Sequence, residues 1–225
     1  MGLNMNVAKT KTMLMSRNQD AEVNIMIDGN RLEQVQSFKY LGQKVTDDGK
    51  NQNEIKCRSE MARSRFTEMR SIFTSRSIST ATKIRLLKCY VHSVLLYGSE
   101  TWTLNKEMER KISSFEMWTY RRIGRISWKR MMSDEEVCAL LKLKRELLVT
   151  VKRRKLQYFG HIVRHGSLCK TVLEGRVEGK RGRGRPPMKW IDDVKLWSGL
   201  SAADCTTCAR ERDVWKAISS RPQRR

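Results

Sequence analysis

Two pairs of adjacent carboxylates, Asp47-Asp48 and Asp192-Asp193, are the side chains here best suited by type to metal-assisted chemistry. Neighbouring aspartates can hold divalent cations that activate a hydroxyl nucleophile and steady a leaving pyrophosphate. Neither pair sits in a suitable place. Asp47-Asp48 runs into Gly49, the composition of a tight turn. Asp192-Asp193 follows Pro186-Pro187 at a predicted helix start, where acids stabilise the helix dipole. Zinc binding is the second candidate chemistry. His161 and His165 lie one helical turn apart, and Cys205-x-x-Cys208 has ligand-like spacing. A long basic linker separates those pairs and no standard finger spacing results, so they read as surface histidines and reduced thiols. No Ser-His-Asp or Cys-His arrangement stands out, and there is no Walker-type phosphate loop. The residue types thus assign no catalytic group and no metal ligand.

Cations are the remaining chemistry. The 225-residue chain carries 46 lysines and arginines against 24 acids, a formal net charge of +22. Such a surplus attracts a polyanion. No apolar run is long enough to span a bilayer. The opening MGLNMNVAKTK has no signal-peptide core, and Asn6 departs from the Ser/Thr of a myristoylation pattern. The expected partner is RNA, DNA or an RNA–DNA hybrid and not a membrane, in nucleus or cytoplasm with the nucleus favoured. Without a secretory signal the cysteines read as reduced, and Cys89 as a small buried hydrophobe.

The charges fall into groups. Arg121, Arg122, Arg125, Lys129 and Arg130 form one; Lys152, Arg153, Arg154 and Lys155 form another. Both have few acidic neighbours, which suits contact with phosphates. Lys180-Arg181-Gly182-Arg183-Gly184-Arg185-Pro186-Pro187 is the sharpest local signal. Its Arg183-Gly184-Arg185-Pro186 matches an AT-hook core, in which an extended Arg-Gly-Arg lies in the narrow minor groove of A·T-rich DNA. The competing reading is a flexible basic linker that binds any phosphate.

The elements that must carry these groups are mainly α, a helical bundle preceded by a small N-terminal antiparallel β element. Val23, Ile25 and Ile27 alternate with Asn24 and Met26 and predict a half-buried strand; Asp28-Gly29 predicts a hairpin turn. Phe38, Tyr40 and Gln43 to Val45 predict a second strand. Ile55, Ala62, Phe66, Met69 and Phe73 mark one amphipathic helix. The best-patterned stretch runs from Ser77 to Thr103: Ile84, Leu87, Val91, Val94 and Leu95 share a helix face, Ser79 or Thr80 caps its start, and Gly98 stops it. Lys83, Arg85 and Lys88 are expected on its outer side. Met108, Ile112, Phe115 and Ile123 mark a helix from near Asn105. Ser133 to Glu136 is a capping box followed by Val137, Leu140 and Leu141. Leu148, Val151, Phe159 and Ile162 predict a helix ending near Gly166. Trp190, Ile191, Val194 and Trp197 mark a short helix, and Val214, Trp215 and Ile218 a last one after Ser201.

The literal strings carry more. LLYGSETWTL, with KYLG upstream and RRIGRISW, YFGHIVR and RGRGRPPMKWIDDV downstream, closely resembles the C-terminal part of reverse transcriptases encoded by non-LTR retrotransposons. The blocks occur in order from about Gly2 to Trp215. The resemblance implies four parts: a palm-edge β element with a primer-grip-like strand at 1–50, a helical thumb-like domain at 51–166, a basic linker at 167–187, and a short helical segment with a basic tail at 188–225. It implies that Asn6-Val-Ala-Lys9-Thr10-Lys11 follows the catalytic strands of the palm, with Lys9 as a phosphate-side contact and Lys11 beside it. Phe38-Lys39-Tyr40-Leu41-Gly42 would be the primer grip that holds the primer 3′ end. The intact family polymerase uses Mg²⁺ held by palm aspartates that lie upstream of the Asn-x-x-Lys-Thr segment, before Met1. The chain alone is therefore expected to bind template–primer and not to polymerise, unless an intact palm acts in trans. The competing expectation is a non-enzymatic DNA-binding protein, a retroelement remnant using the AT-hook-like stretch. A degenerate fragment with no selected function is the third.

Overall fold

Turn chemistry shapes the first part of the chain. The computed structural model describes residues 5–14, 22–49, 51–165, 168–175 and 188–222. It divides into two compact units, Met1–Cys57 and Arg58–Arg225. In the first, β1 (Lys11–Thr12) pairs with β4 (Glu33–Gln34), β2 (Met26–Ile27) with β3 (Asn30–Arg31), and β5 (Ser37–Tyr40) with β6 (Gln43–Thr46). The two hairpins turn at Asp28–Gly29 and Leu41–Gly42, with φ of 50° and 76° and of 47° and 81°. Positive φ at both central residues twists the turn to match its strands. The β1–β4 ladder is parallel, whereas both hairpins are antiparallel as expected. The strand predicted at Val23 to Ile27 shrinks to Met26–Ile27; Leu32 is buried while Ile25 is 43% exposed.

The second unit is helical. Helix α1 (Gln52–Glu68) contributes its first turn to the first unit and the rest to the second, and α2 (Arg70–Thr74) follows after a break at Met69. One continuous helix was expected here. Residues seven apart on a helix are about 10.5 Å apart along the axis, whereas the Phe66 and Phe73 rings stack at 4.5 Å and 6°. The helix bends at Met69, where ψ rises to 14°, and the bend brings the two rings together. The Ser77–Thr103 stretch opens as α3 (Thr80–Leu86), capped by Ser79, whose Oγ accepts from the Thr82 N–H at 3.2 Å. It widens into a π-helix at Leu87–His92 before α4 (Ser93–Leu95). In a π-turn residues four and five apart stack, so Leu87, Val91 and His92 are all buried. Gly98, at φ 67°, ends the stretch as anticipated.

Helices α5 (Lys106–Ile123) and α7 (Leu147–Arg164) form the centre, with α6 (Asp134–Leu141) between them in sequence. Asn105 caps α5, and Ser133 and Glu136 form the anticipated capping box of α6. On α6 only Val137 is fully buried; Leu140 is 56% exposed. Helix α8 (Leu168–Glu174) follows, and then α9 (Trp190–Ser198), α10 (Ala202–Arg210) and α11 (Arg212–Ser220) all pack on α7. The C-terminal helices therefore share the core of this unit through Val194, Trp197, Cys205, Ala209 and Trp215. Two further expectations change. Lys83 is buried and donates to the Ser75 carbonyl, and Cys89 is exposed, one position off the buried face.

Candidate nucleic-acid interface

The hairpin β5–β6 holds the Phe38-Lys39-Tyr40-Leu41-Gly42 string. Phe38 and Tyr40, two apart, share one face and are 39% and 62% exposed; Leu41, at the tip, is 73% exposed. Lys39 stands directly opposite Lys44 across the ladder. Like charges so placed repel each other, and an anion between them relieves that. Leu41 holds φ 47°, a left-handed conformation that costs a branched L-residue about 1–2 kcal/mol. Asparagine would fit that position better. Upstream, Lys9 is exposed and its backbone N–H donates to Asn6 Oδ1, while Lys11 is ion-paired with Glu33.

The cationic groups do not survive as units. At the end of α5, Arg121 turns inward, donating to Met132 O at 2.8 Å and Asp134 Oδ1 at 2.9 Å, which ties α5 to the start of α6. Arg122 and Arg125 remain outward. Lys129 and Arg130 lie exposed on the short turn Trp128–Arg130, where Trp128 is 79% exposed. Along α7, Arg153 is exposed and Arg154 donates to Leu96 O at 2.9 Å. Lys152 is buried against Glu109 at 3.1 Å. Lys155 is fully buried, bonded to Asp193 Oδ2 at 2.6 Å and to Trp102 O at 2.8 Å, with Trp190 4.7 Å and Trp197 5.4 Å from its ammonium. Burial pulls the Lys155 pKa down to about 8, and Asp193 opposes that shift. Lys152 and Lys155 therefore organise the interior and present no charge to a partner. Sequence spacing hid this, because the face of α7 that carries Lys155 is recognisable only once α9 covers it. Lys180, Arg181, Arg183 and Arg185 lie outside the described residues.

The carboxylates also have structural employment. Asp193 accepts from the Leu104 N–H at 2.9 Å as well as holding Lys155, and Asp192 accepts from the Lys189 N–H at 2.9 Å. Asp48 Oδ1 accepts from Thr46 Oγ1 at 2.6 Å in the turn after β6. Neither aspartate pair fits a two-metal site. Glu116 is buried on α5 and accepts from the N–H groups of Glu146 and Leu147, each at 2.9 Å, and from Tyr120 Oη at 3.0 Å. Burial raises its pKa against those hydrogen bonds. It supplies the acceptor that the uncapped N-terminus of α7 lacks. His161 and His165 stack at 4.1 Å, while Cys205 is buried with its thiol 3.2 Å from Ser198 Oγ. Among the described residues no group of three or more His, Cys, Asp or Glu side chains is arranged for a metal ion, and no helix is long and apolar enough to cross a membrane.

Fold and surface together define a mainly α, strongly basic protein with a small β-hairpin element. Over 240 aligned residues the chain is 30% identical to an uncharacterized transposon-derived protein of Caenorhabditis elegans, covering 98% of this chain and 84% of that relative. The chain belongs to that family of transposon-derived proteins. No protein-family model matches it, and no solved structure matches it.

Proposed function

We propose that this chain is the primer-grip and thumb portion of a non-LTR retrotransposon reverse transcriptase, and that it binds template–primer nucleic acid without copying it. The observation that carries the reading is the β5–β6 hairpin, which offers Phe38, Tyr40 and a strained Leu41 to solvent beside the opposed Lys39 and Lys44. The ordered sequence blocks and the transposon-derived relative support it. Aromatic and aliphatic side chains at the tip bear on the primer terminus, and Lys39 meets a phosphate; neither contact reads a base. The exposed Arg122, Arg125, Lys129, Arg130 and Arg153 of the helical unit track the duplex backbone. The Mg²⁺ chemistry of the intact family resides in a palm outside these 225 residues. Asp47-Asp48 and Asp192-Asp193 do not substitute for it, since Asp48 is engaged in a turn, Asp192 in a cap and Asp193 in a buried ion pair.

The test is binding to a poly(rA)/oligo(dT) hybrid, titrated with salt, alongside primer extension with Mg²⁺. Salt-steep binding without extension is expected. Leu41→Asn should leave thermal stability equal or higher, by relief of the left-handed leucine, yet weaken binding several-fold. Extension above background, or hybrid binding unchanged by Leu41→Asn, Lys39→Gln and Tyr40→Ala, rejects the reading. Preference for A·T-rich duplex DNA over the hybrid would instead favour a DNA-binding remnant acting through the Arg183-Gly184-Arg185-Pro186 stretch.

A further inference from the structure

Trp118 on α5 is held in place by the core of the helical unit. Its ring stacks on Phe115 with centroids 5.9 Å apart at 19°, and meets Phe66 edge-on at 5.0 Å and 64°. Two guanidinium groups from different helices lie over that same ring: Arg122 Cζ is 3.9 Å and Arg63 Cζ 5.4 Å from its centroid. Arg70 is the first residue of α2, which packs against α5. Burial holds the Arg122 pKa below its ordinary value, and repulsion from Arg63 and Arg70 adds to that.

Three arginines gathered from three helices need a counter-charge. Elsewhere on this unit the chain provides one: Arg65 has Glu68 at 2.7 Å and Lys111 has Glu107 at 2.6 Å. Here the nearest carboxylate is Glu60, 3.8 Å from Arg63, while Arg70 and Arg122 have no ion-pair partner among the described residues. Arg122 Nη1 makes one long contact, 3.5 Å, to the Trp118 carbonyl, and the rest of its planar N–H edge is held in orientation by the indole, which suits recognition of a phosphate. We propose that Arg63 and Arg122, stacked on Trp118, with Arg70 adding its charge beside them, form a binding site for a phosphate of the sugar–phosphate backbone of duplex nucleic acid. The inference deepens the template–primer reading and rests on it. It adds an anchor on the helical unit that works separately from the hairpin and tolerates any base sequence. Arg63 and Arg70 were not recognisable as members, because neither belongs to a basic run; α2 follows the bend at Met69 and packs against α5.

The experiment uses the full chain and a fluorescent RNA–DNA hybrid, with affinity read by anisotropy across a salt series. Arg70→Gln with Arg122→Gln should lower the slope of log K against log[salt] by about 0.7–0.9, the contribution of one neutralised phosphate. Arg70→Gln alone should lower it by part of that amount; Arg70 touches no ring of the cluster, so this variant guards against a folding defect. The control, Arg65→Gln with Lys216→Gln, removes the same formal charge away from Trp118 and should leave the slope nearly unchanged. Equal slopes for the double variant and its control overturn the site. Loss of hybrid binding by Leu41→Asn with no effect of Arg70→Gln/Arg122→Gln would overturn the site while sparing the parent reading. No hybrid binding by the unmodified chain would remove both. A rise in Tm with inorganic pyrophosphate that the double variant abolishes, with hybrid binding unaffected, would make this a site for small phosphates and overturn the backbone assignment.

Discussion

Gly160, in the middle of α7, sets two physical rules against each other. Helix propensity says that alanine at an interior glycine should stabilise the protein by about 1 kcal/mol. The packing says otherwise. A Cβ at Gly160 would lie 2.2 Å from Cδ1 and 2.6 Å from Nε1 of Trp215, far inside the roughly 3.5–4.0 Å of a carbon contact. The indole has to retreat by more than an ångström, yet it is buried, its Nε1 donates to Leu156 O at 2.6 Å, and it rests on Phe159 with centroids 5.2 Å apart. Overpacking costs about 1–3 kcal/mol, and loss of the indole hydrogen bond adds about 1 kcal/mol. After the propensity gain, Gly160→Ala should destabilise the chain by about 1–3 kcal/mol. Urea unfolding followed by far-ultraviolet circular dichroism measures it. In a Trp215→Ala background the clash is absent, and the same alanine should stabilise by about 1 kcal/mol. A stabilising Gly160→Ala in the unmodified chain, or the same sign in both backgrounds, would refute the docking of α11 against α7 described above.

Two further outcomes follow from the buried ionisable groups. Asp193→Ala strands the Lys155 ammonium in the core and should cost about 3–5 kcal/mol in urea unfolding, whereas Lys155→Met with Asp193→Leu should recover most of that loss; a single variant within 1 kcal/mol of the unmodified chain would show the pair to be dispensable. Burial holds His92 at about 4, against about 6.5 unfolded. Between those values the unfolded chain binds a proton that the folded chain refuses. The stability linked to His92 is therefore complete above about pH 6.5 and is lost as pH falls through about 4, by at most about 3 kcal/mol. His92→Leu should flatten that part of the stability–pH curve, and an unchanged curve would show that His92 is not the group responsible.

What could be read directly from the residues was whatever depends on near neighbours along the chain. Ser79, Asn105 and Ser133 cap their helices, Gly98 ends one, and Asp28–Gly29 turns a hairpin, because each satisfies or releases backbone groups within four residues. The α5 and α7 faces followed from three- and four-residue spacing, and the mainly α class with them. The hairpin string was legible as an aromatic, a lysine and a glycine; its exposure and the strain at Leu41 were not. The fate of individual charges was out of reach for the same reason. Lys152 and Lys155 look like solvated members of a basic run, yet Lys155 meets Asp193, 38 positions away, and the Trp102 carbonyl, 53 positions away. The cluster on Trp118 joins α1, α2 and α5 through a break that no local signal predicts. Periodicity reports which face of a helix is apolar. Which cation on the remaining faces is neutralised, and which is left for a phosphate, depends on what the rest of the chain places opposite it, and only the assembled tertiary structure decides that.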